Sequence, residues 1–147
     1  MTLRVHTLLR RKGHSVVTIP PEATVYDCID TMVRHNVGSV VVTTDDAIEG
    51  IFTERDYLRR IALKGRTSRT TLVRDVMTSP VLTISPEETV ESCLRIMTDA
   101  KCRHLPVVEN DTLTGIVSIG DCVKALSKDA QNELTTLEDF LSGQYPR

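Results

Sequence analysis

Apolar and polar positions alternate along this chain in a way that predicts short strands and helices by turns. Two β-branched runs, Val16 to Ile19 and Val81 to Ile84, each stop at proline, which has no N–H to carry a ladder onward. Each is followed by apolar residues at helical spacing. These are Val25, Cys28, Ile29 and Met32 in one place and Val90, Cys93, Leu94 and Met97 in the other, with Thr24 and Thr89 placed to cap the orphan amides. Continuous apolar runs of the buried-strand kind then cover Gly38 to Thr43 and His104 to Val108. Polar turns at Asp45-Asp46 and Asn110-Asp111 reverse the chain into second strands, Glu49 to Thr53 and Gly115 to Ser118. These pass at a Thr or Ser into helices whose apolar residues are Tyr57, Leu58 and Ile61, or Cys122, Val123 and Leu126.

The two series are one series repeated. Thr18 and Thr83 stand 65 positions apart, as do Thr24 and Thr89, Met32 and Met97, Gly50 and Gly115, and Asp56 and Asp121. No gap is needed to align them, which marks a tandem duplication. Each half reads as strand, helix, strand, strand, helix. Val5 to Arg11 falls in the register of Ser68 to Val76, so a lead-in helix or turn precedes each half. After the second half, Leu134, Leu137, Phe140 and Leu141 form an apolar stripe opposed by Asp129, Glu133, Glu138 and Asp139, the mark of an amphipathic helix that needs a surface to lie on. The expected division is a first motif with its lead-in over 1–65, a second over 66–127, and a helical tail over 128–147.

Composition narrows the picture. Aromatic residues make up 3% of the 147-residue chain and Trp is absent, so Val, Ile, Leu, Met and Ala must build the core, which favours small sheets covered by helices. Eighteen basic residues against twenty acidic ones give no general affinity for nucleic acid, though a local phosphate pocket stays open. Four cysteines with no C-x-x-C pair argue against zinc or a disulfide framework and for a reducing cytoplasm. No apolar run approaches the roughly 18 residues of a membrane span. The opening stretch lacks the apolar core of a secretory signal, and Arg4, Arg10, Arg11 and Lys12 read as part of a structural helix rather than of a transit peptide.

Candidate chemistry sits at the ends of the second strands. Gly50-Ile51-Phe52-Thr53-Glu54-Arg55-Asp56 and Gly115-Ile116-Val117-Ser118-Ile119-Gly120-Asp121 share the form Gly, two apolar residues, Thr or Ser, two variable residues, Asp. A hydroxyl that caps a helix brings the carboxylate three residues on to the same helix end. A hydroxyl and free amides there suit a phosphate, and a carboxylate suits the vicinal hydroxyls of a ribose. The same spacing is an ordinary capping box, and its double occurrence after a Gly-apolar strand end tips it toward a nucleotide.

The whole pattern resembles the tandem cystathionine-β-synthase (CBS) domain pair, or Bateman module, over about residues 4 to 127. Val-x-Thr-Ile-x-Pro, Met-x-x-x-x-Val-Gly-Ser-Val-Val-Val, Gly-Ile-Phe-Thr-Glu-Arg-Asp-Tyr and Arg-His-Leu-Pro-Val-Val carry the resemblance. It implies an α/β (α+β) fold of two pseudo-twofold β-α-β-β-α motifs packed sheet to sheet. It also implies two clefts that take AMP, with ADP, ATP, NAD and S-adenosylmethionine as alternatives. One cleft would use Ser118 and Asp121, with Thr18, Val37, Gly38 and Ser39 near the base; the other would use Thr53 and Asp56, with Thr83, Cys102, Arg103 and His104. Ile51 and Ile116 would wall the adenine. Arg103 and His104 give the second cleft cationic character that Gly38 and Ser39 do not give the first, and Arg55 either folds on a phosphate or pairs with a surface charge. The basic stretch Arg59, Arg60, Lys64, Arg66, Arg69 and Arg74 reads as a solvated linker face, with a docking surface or a polyphosphate site as the alternative.

No P-loop, H-E-x-x-H or nucleophile turn is present, and His6, His14, His35 and His104 are scattered, so neither catalysis nor a metal site is expected. The resemblance implies a homodimer and a sensor that acts on an unidentified protein partner. The competing readings are an interaction module with vestigial clefts and a nucleotide hydrolase.

Overall fold

The computed structural model describes residues 2–141, less the side chains of residues 136, 139 and 140. The side chains of Phe140 and Asp139, assigned above to the two faces of the last helix, therefore lie outside the described residues. Helix α1 (Val5–Lys12) precedes β1 (Thr18–Ile19), α2 (Val25–His35), β2 (Ser39–Thr44), β3 (Ala47–Thr53) and α3 (Glu54–Asp56). Helix α3 continues as a π-helical stretch, Tyr57–Ala62, and a 3-10 turn follows at Val73–Asp75. The second half holds α4 (Val90–Ala100), β4 (His104–Glu109), β5 (Thr112–Ser118) and α5 (Ile119–Leu141). The fold is the expected α+β pair with small sheets.

Both hairpins turn as the sequence asks. Asp45 and Asp46 have φ of 50° and 66°, and Asn110 and Asp111 have 51° and 62°, so both central residues of each turn are left-handed, the twist that suits a two-residue hairpin. Strands β2 and β3 pair antiparallel with a register shift at Val42/Thr43, and β4 and β5 repeat it at Val107/Val108. The duplication thus extends to an irregularity of the sheet. Helices α2 and α4 start at Thr24 and Thr89, whose hydroxyls accept from the amides of Asp27 and Ser92 at 3.1 Å. Val25, Cys28 and Met32 bury one face of α2, and Val90, Cys93 and Met97 bury the matching face of α4.

The halves differ at their first strand. β1 runs parallel to β2, with the Val41 amide donating to the Val17 carbonyl at 3.0 Å. The expected strand Val81 to Ile84 shrinks to one parallel bridge, Ile84 to Val107. Pro106 occupies the place of Val41 and has no N–H, so the opening bond of that ladder is lost. Two other expectations change. Leu58 and Val123, assigned to apolar helix faces, stand in equivalent places and are exposed. The last helix runs unbroken from the motif to Leu141, and its Leu134, Leu137 and Leu141 are exposed.

Each lead-in packs on the opposite repeat. Leu3, Val5, Leu8 and Leu9 join the core of the second half with Val90, Met97, Leu105 and Val117, while Val73 and Val76 join that of the first with Val25, Met32, Val40 and Phe52. The Val5 amide donates to Glu88 and the Val90 amide to Leu3; the Val73 amide donates to Ala23 and the Val25 amide to Thr71. These exchanges align Val5 with Val73, a spacing of 68 rather than 65. The same alignment pairs Leu9 with Met77, and each lies over the motif glycine of the other half. A Cβ on Gly115 would sit 2.9 Å from both Leu9 methyl carbons, and one on Gly50 would overlap the Met77 thioether and reach the Thr78 carbonyl oxygen at 3.0 Å. A side chain at either site would therefore force the crossing lead-in to shift.

Candidate functional site

Helix α3 begins where β3 ends, and the Thr53 hydroxyl accepts from the Asp56 amide at 3.2 Å while Asp56 Oδ2 accepts from the Thr53 amide at 3.0 Å. The second motif repeats this closed box between Ser118 and Asp121, at 3.1 and 2.9 Å. The carboxylates thus return to their helix ends, as the spacing requires, and serve as caps there. Asp56 is 8% exposed, and its other oxygen, Oδ1, accepts from the Thr78 hydroxyl at 3.1 Å.

A cleft of about 440 Å³ opens between the halves beside Asp56. It brings together Ile51, Thr53 and Asp56 from the first half and Cys102, Arg103 and His104 from the second, and it adds Gly38 and Ser118 from the other residue set. Gly38 fits between repeats: a Cβ there would sit 3.0 Å from Glu54 Oε1 and 3.3 Å from His104 Nε2. The remaining candidates do not join this cleft. Thr18 and Thr83 are exposed on the entering segments, Ser39 is buried at the start of β2, and Val37 borders a neighbouring groove with Val33 and Leu58. Asp121 borders a third groove, of about 370 Å³, with Lys12, Lys124 and Lys128. Ile116 gives its carbonyl oxygen to Lys12 Nζ at 2.6 Å, and the same ammonium lies 2.5 Å from Asp121 Oδ2.

Cations dominate the open cleft. Arg55, Arg59, Arg60, Lys101 and Arg103 line it against Glu54 and Asp56. Among the described residues Arg55 forms no ion pair with a surface charge; it lines the cleft and donates to the Lys101 carbonyl at 3.2 Å. Arg60 donates to the Val76 and Met77 carbonyls, each at 2.8 Å, and lies 3.9 Å from Asp56 Oδ1. Among the described residues Arg59, Lys101 and Arg103 form no ion pair. Arg59 and Arg60, expected on a solvated linker face or at a polyphosphate site, both reach the cleft wall from the π-helical stretch. Beyond that stretch, Arg69 stacks over Tyr26, 4.0 Å from the ring centre.

Two titrating groups separate the grooves. Burial lowers the pKa of His104 below the ordinary imidazole value, against the opposing pull of Glu54, so His104 meets the cleft as a neutral ring near pH 7. For Asp121, burial alone would raise the pKa; hydrogen bonds from Lys12 and Ser118, with the Lys12 charge, outweigh it and hold the carboxyl below its usual range. Of the four free cysteines, Cys102 borders the cleft, and burial raises its pKa, so it stays a thiol rather than a nucleophilic thiolate.

The family model described as "CBS domain" matches the chain twice, over residues 9–63 and 73–128. The chain belongs to the CBS-domain family. It is similar to the CBS domain-containing protein CBSX3, mitochondrial, of Arabidopsis thaliana, with 42% identity over 96% of this chain and 73% of that protein. Among solved structures it resembles the CBS-domain containing protein ATU1752 from Agrobacterium tumefaciens, with a TM-score of 0.80 and 42% identity over 85% of this chain and 94% of that one. It also resembles the hexameric CBS-CP12 protein from bloom-forming cyanobacteria, with a TM-score of 0.75 and 30% identity over 84% of this chain and 71% of that one. Tandem CBS-domain proteins are regulatory and sensor modules, and the match indicates no catalytic family. No helix among the described residues is long and apolar enough to cross a membrane.

Sequence reasoning missed Lys12, Thr78 and Lys101 of the two CBS grooves, and it offered Arg59 and Arg60 only as the alternative to a linker face. Lys12 and Thr78 reach these grooves because each lead-in crosses to the opposite CBS repeat, where the Val5 amide donates to Glu88 and the Val73 amide to Ala23.

Proposed function

We propose that this chain is a regulatory module that binds an adenine nucleotide in the cleft between Asp56 and Arg103 and passes the signal to a protein partner or to its own assembly. The observation that carries the reading is the convergence, in one cleft of about 440 Å³, of a helix-capping Thr53-Asp56 pair from one repeat with Arg103 and His104 from the other. The volume falls within the range of about 300–1,000 Å³ common for small-molecule sites. Asp56 accepts ribose hydroxyls, Ile51 offers an apolar wall, and the cations around Arg59, Lys101 and Arg103 take the phosphates, where a charge-assisted hydrogen bond contributes on the order of 1.5–3 kcal/mol. Because the cleft is built from both repeats, a ligand there bridges them and favours the orientation it fits. It works as a signal only through that difference in affinity.

AMP leads the ligand candidates, followed by ADP, ATP, NAD and S-adenosylmethionine; the number of cations in the cleft favours those that carry phosphate. The four free cysteines, three of them buried, fit a reducing interior such as the cytoplasm. Self-association is part of the reading: Val33, Val37 and Leu58 share a groove and are exposed, and a related CBS-CP12 protein is hexameric.

A thermal-unfolding series with AMP, ADP, ATP, NAD and S-adenosylmethionine tests the binding. A ligand at about 100 times its dissociation constant adds roughly 2.7 kcal/mol to a native-only site, and the midpoint then rises by about 5 °C or more. The expected result is a rise with at least one phosphorylated ligand that Arg103→Ala reduces. No rise with any of the five refutes the reading and favours an interaction module with vestigial clefts.

A further inference from the structure

The two lead-ins reach the motif carboxylates of opposite repeats with different side chains. From the second lead-in, Thr78 gives Asp56 a neutral hydroxyl, and the cleft beside it stays open. From the first, Lys12 gives Asp121 an ammonium, 2.5 Å from Oδ2 and 2.6 Å from the Ile116 carbonyl oxygen. Ile116 and Asp121 repeat Ile51 and Asp56, the wall and carboxylate that border the open cleft. An ammonium has three donors and no acceptor, so it answers the same carboxylate that ribose hydroxyls would need.

The contact is also only partly buried. The Lys12 and Asp121 side chains are 33% and 26% exposed, so water reaches the pair. Lys12 is the last residue of α1, and Gly13 after it has φ of 107°, a conformation that frees the chain to leave the helix there. Arg11, one residue earlier, lies 3.7 Å from Asp129 of α5 and ties the end of α1 beside the groove.

We propose that Lys12 is a built-in occupant of the second nucleotide position, so that each chain takes one nucleotide, beside Asp56, and the Asp121 position opens only when Lys12 withdraws. The proposal rests on the nucleotide reading above and gives that reading a stoichiometry and a device that sets it.

Two measurements on the full chain test it. Trace acetylation with acetic anhydride, read by peptide mass, reports the Lys12 contact without any nucleotide. Lys12 should react several-fold more slowly than Lys64, and Asp121→Asn should remove the protection; equal rates in the unaltered protein overturn the proposal. Calorimetric titrations with AMP and, separately, with ATP then count sites. One site per chain, rising to two in Lys12→Ala, is the expected result. Two sites in the unaltered protein, or a single site that persists in Lys12→Ala, overturn the proposal while leaving the nucleotide reading intact. No binding by either protein overturns the nucleotide reading and takes the proposal with it.

Discussion

The exchange of lead-ins predicts a specific failure of additivity between Leu9 and Gly115. Leu9 is 1% exposed in the core of the second repeat, so Leu9→Ala removes buried methyl groups and leaves a cavity. Such changes cost about 2–5 kcal/mol. Gly115→Ala adds a methyl 2.9 Å from both Leu9 methyl carbons, well inside ordinary contact, and overpacking of this kind costs about 1–3 kcal/mol. In the Leu9→Ala background the same methyl enters vacated space, so its cost should vanish or reverse. The double variant should then be more stable than the sum of the singles by roughly 1–3 kcal/mol, the coupling expected of residues in direct contact. Urea unfolding followed by far-ultraviolet circular dichroism, which needs no Trp, measures all four proteins, and equal slopes would show that stability alone has changed. Additive effects within about 0.5 kcal/mol would refute the packing of α1 on the second repeat.

Two further outcomes follow from the site and the surface. Asp121, held below its ordinary carboxyl value, contributes stability that is present above the unfolded value of about 3.9 and lost as pH falls through the folded one. Stability of the unaltered protein should therefore drop more steeply below about pH 4 than that of Asp121→Asn, and parallel curves in chemical denaturation would contradict the Lys12 pairing. Light scattering should give a mass above the 16.4 kDa of one chain, and Leu58→Glu, which places a charge in the exposed groove with Val33 and Val37, should lower it; a single-chain mass in the unaltered protein contradicts self-association.

Much of this architecture is written in local chemistry. The left-handed hairpin turns and the capping pairs Thr53-Asp56 and Ser118-Asp121 each depend on residues close in sequence, and the 65-residue repeat shows each of them twice. What it hides depends on encounters between halves. The spacing between lead-ins is 68 and not 65, so extending the repeat register into them conceals the crossing of Leu9, Lys12, Met77 and Thr78 to the opposite repeats. The loss of the second entering strand was legible, since Pro106 stands where Val41 donates. The π-helical stretch was not, because nothing in Tyr57–Ala62 departs from an ordinary helical pattern, and the basic run that holds Arg59 and Arg60 fits a solvated face as well as a phosphate site until the fold places it at the cleft. Apolar spacing also grouped Leu58 with Ile61 and Val123 with Cys122, yet Leu58 and Val123 are exposed, because helical periodicity alone does not distinguish a core from a surface that a partner covers.

The most direct test of the central claim is a two-dimensional amide NMR titration of the unaltered protein with AMP and ATP. The account predicts saturable shifts at Thr53, Asp56, Cys102 and His104, from both sides of one cleft, with Ser39 and Thr83 little changed. Shifts confined to residues outside that cleft, or none with either nucleotide, would contradict it.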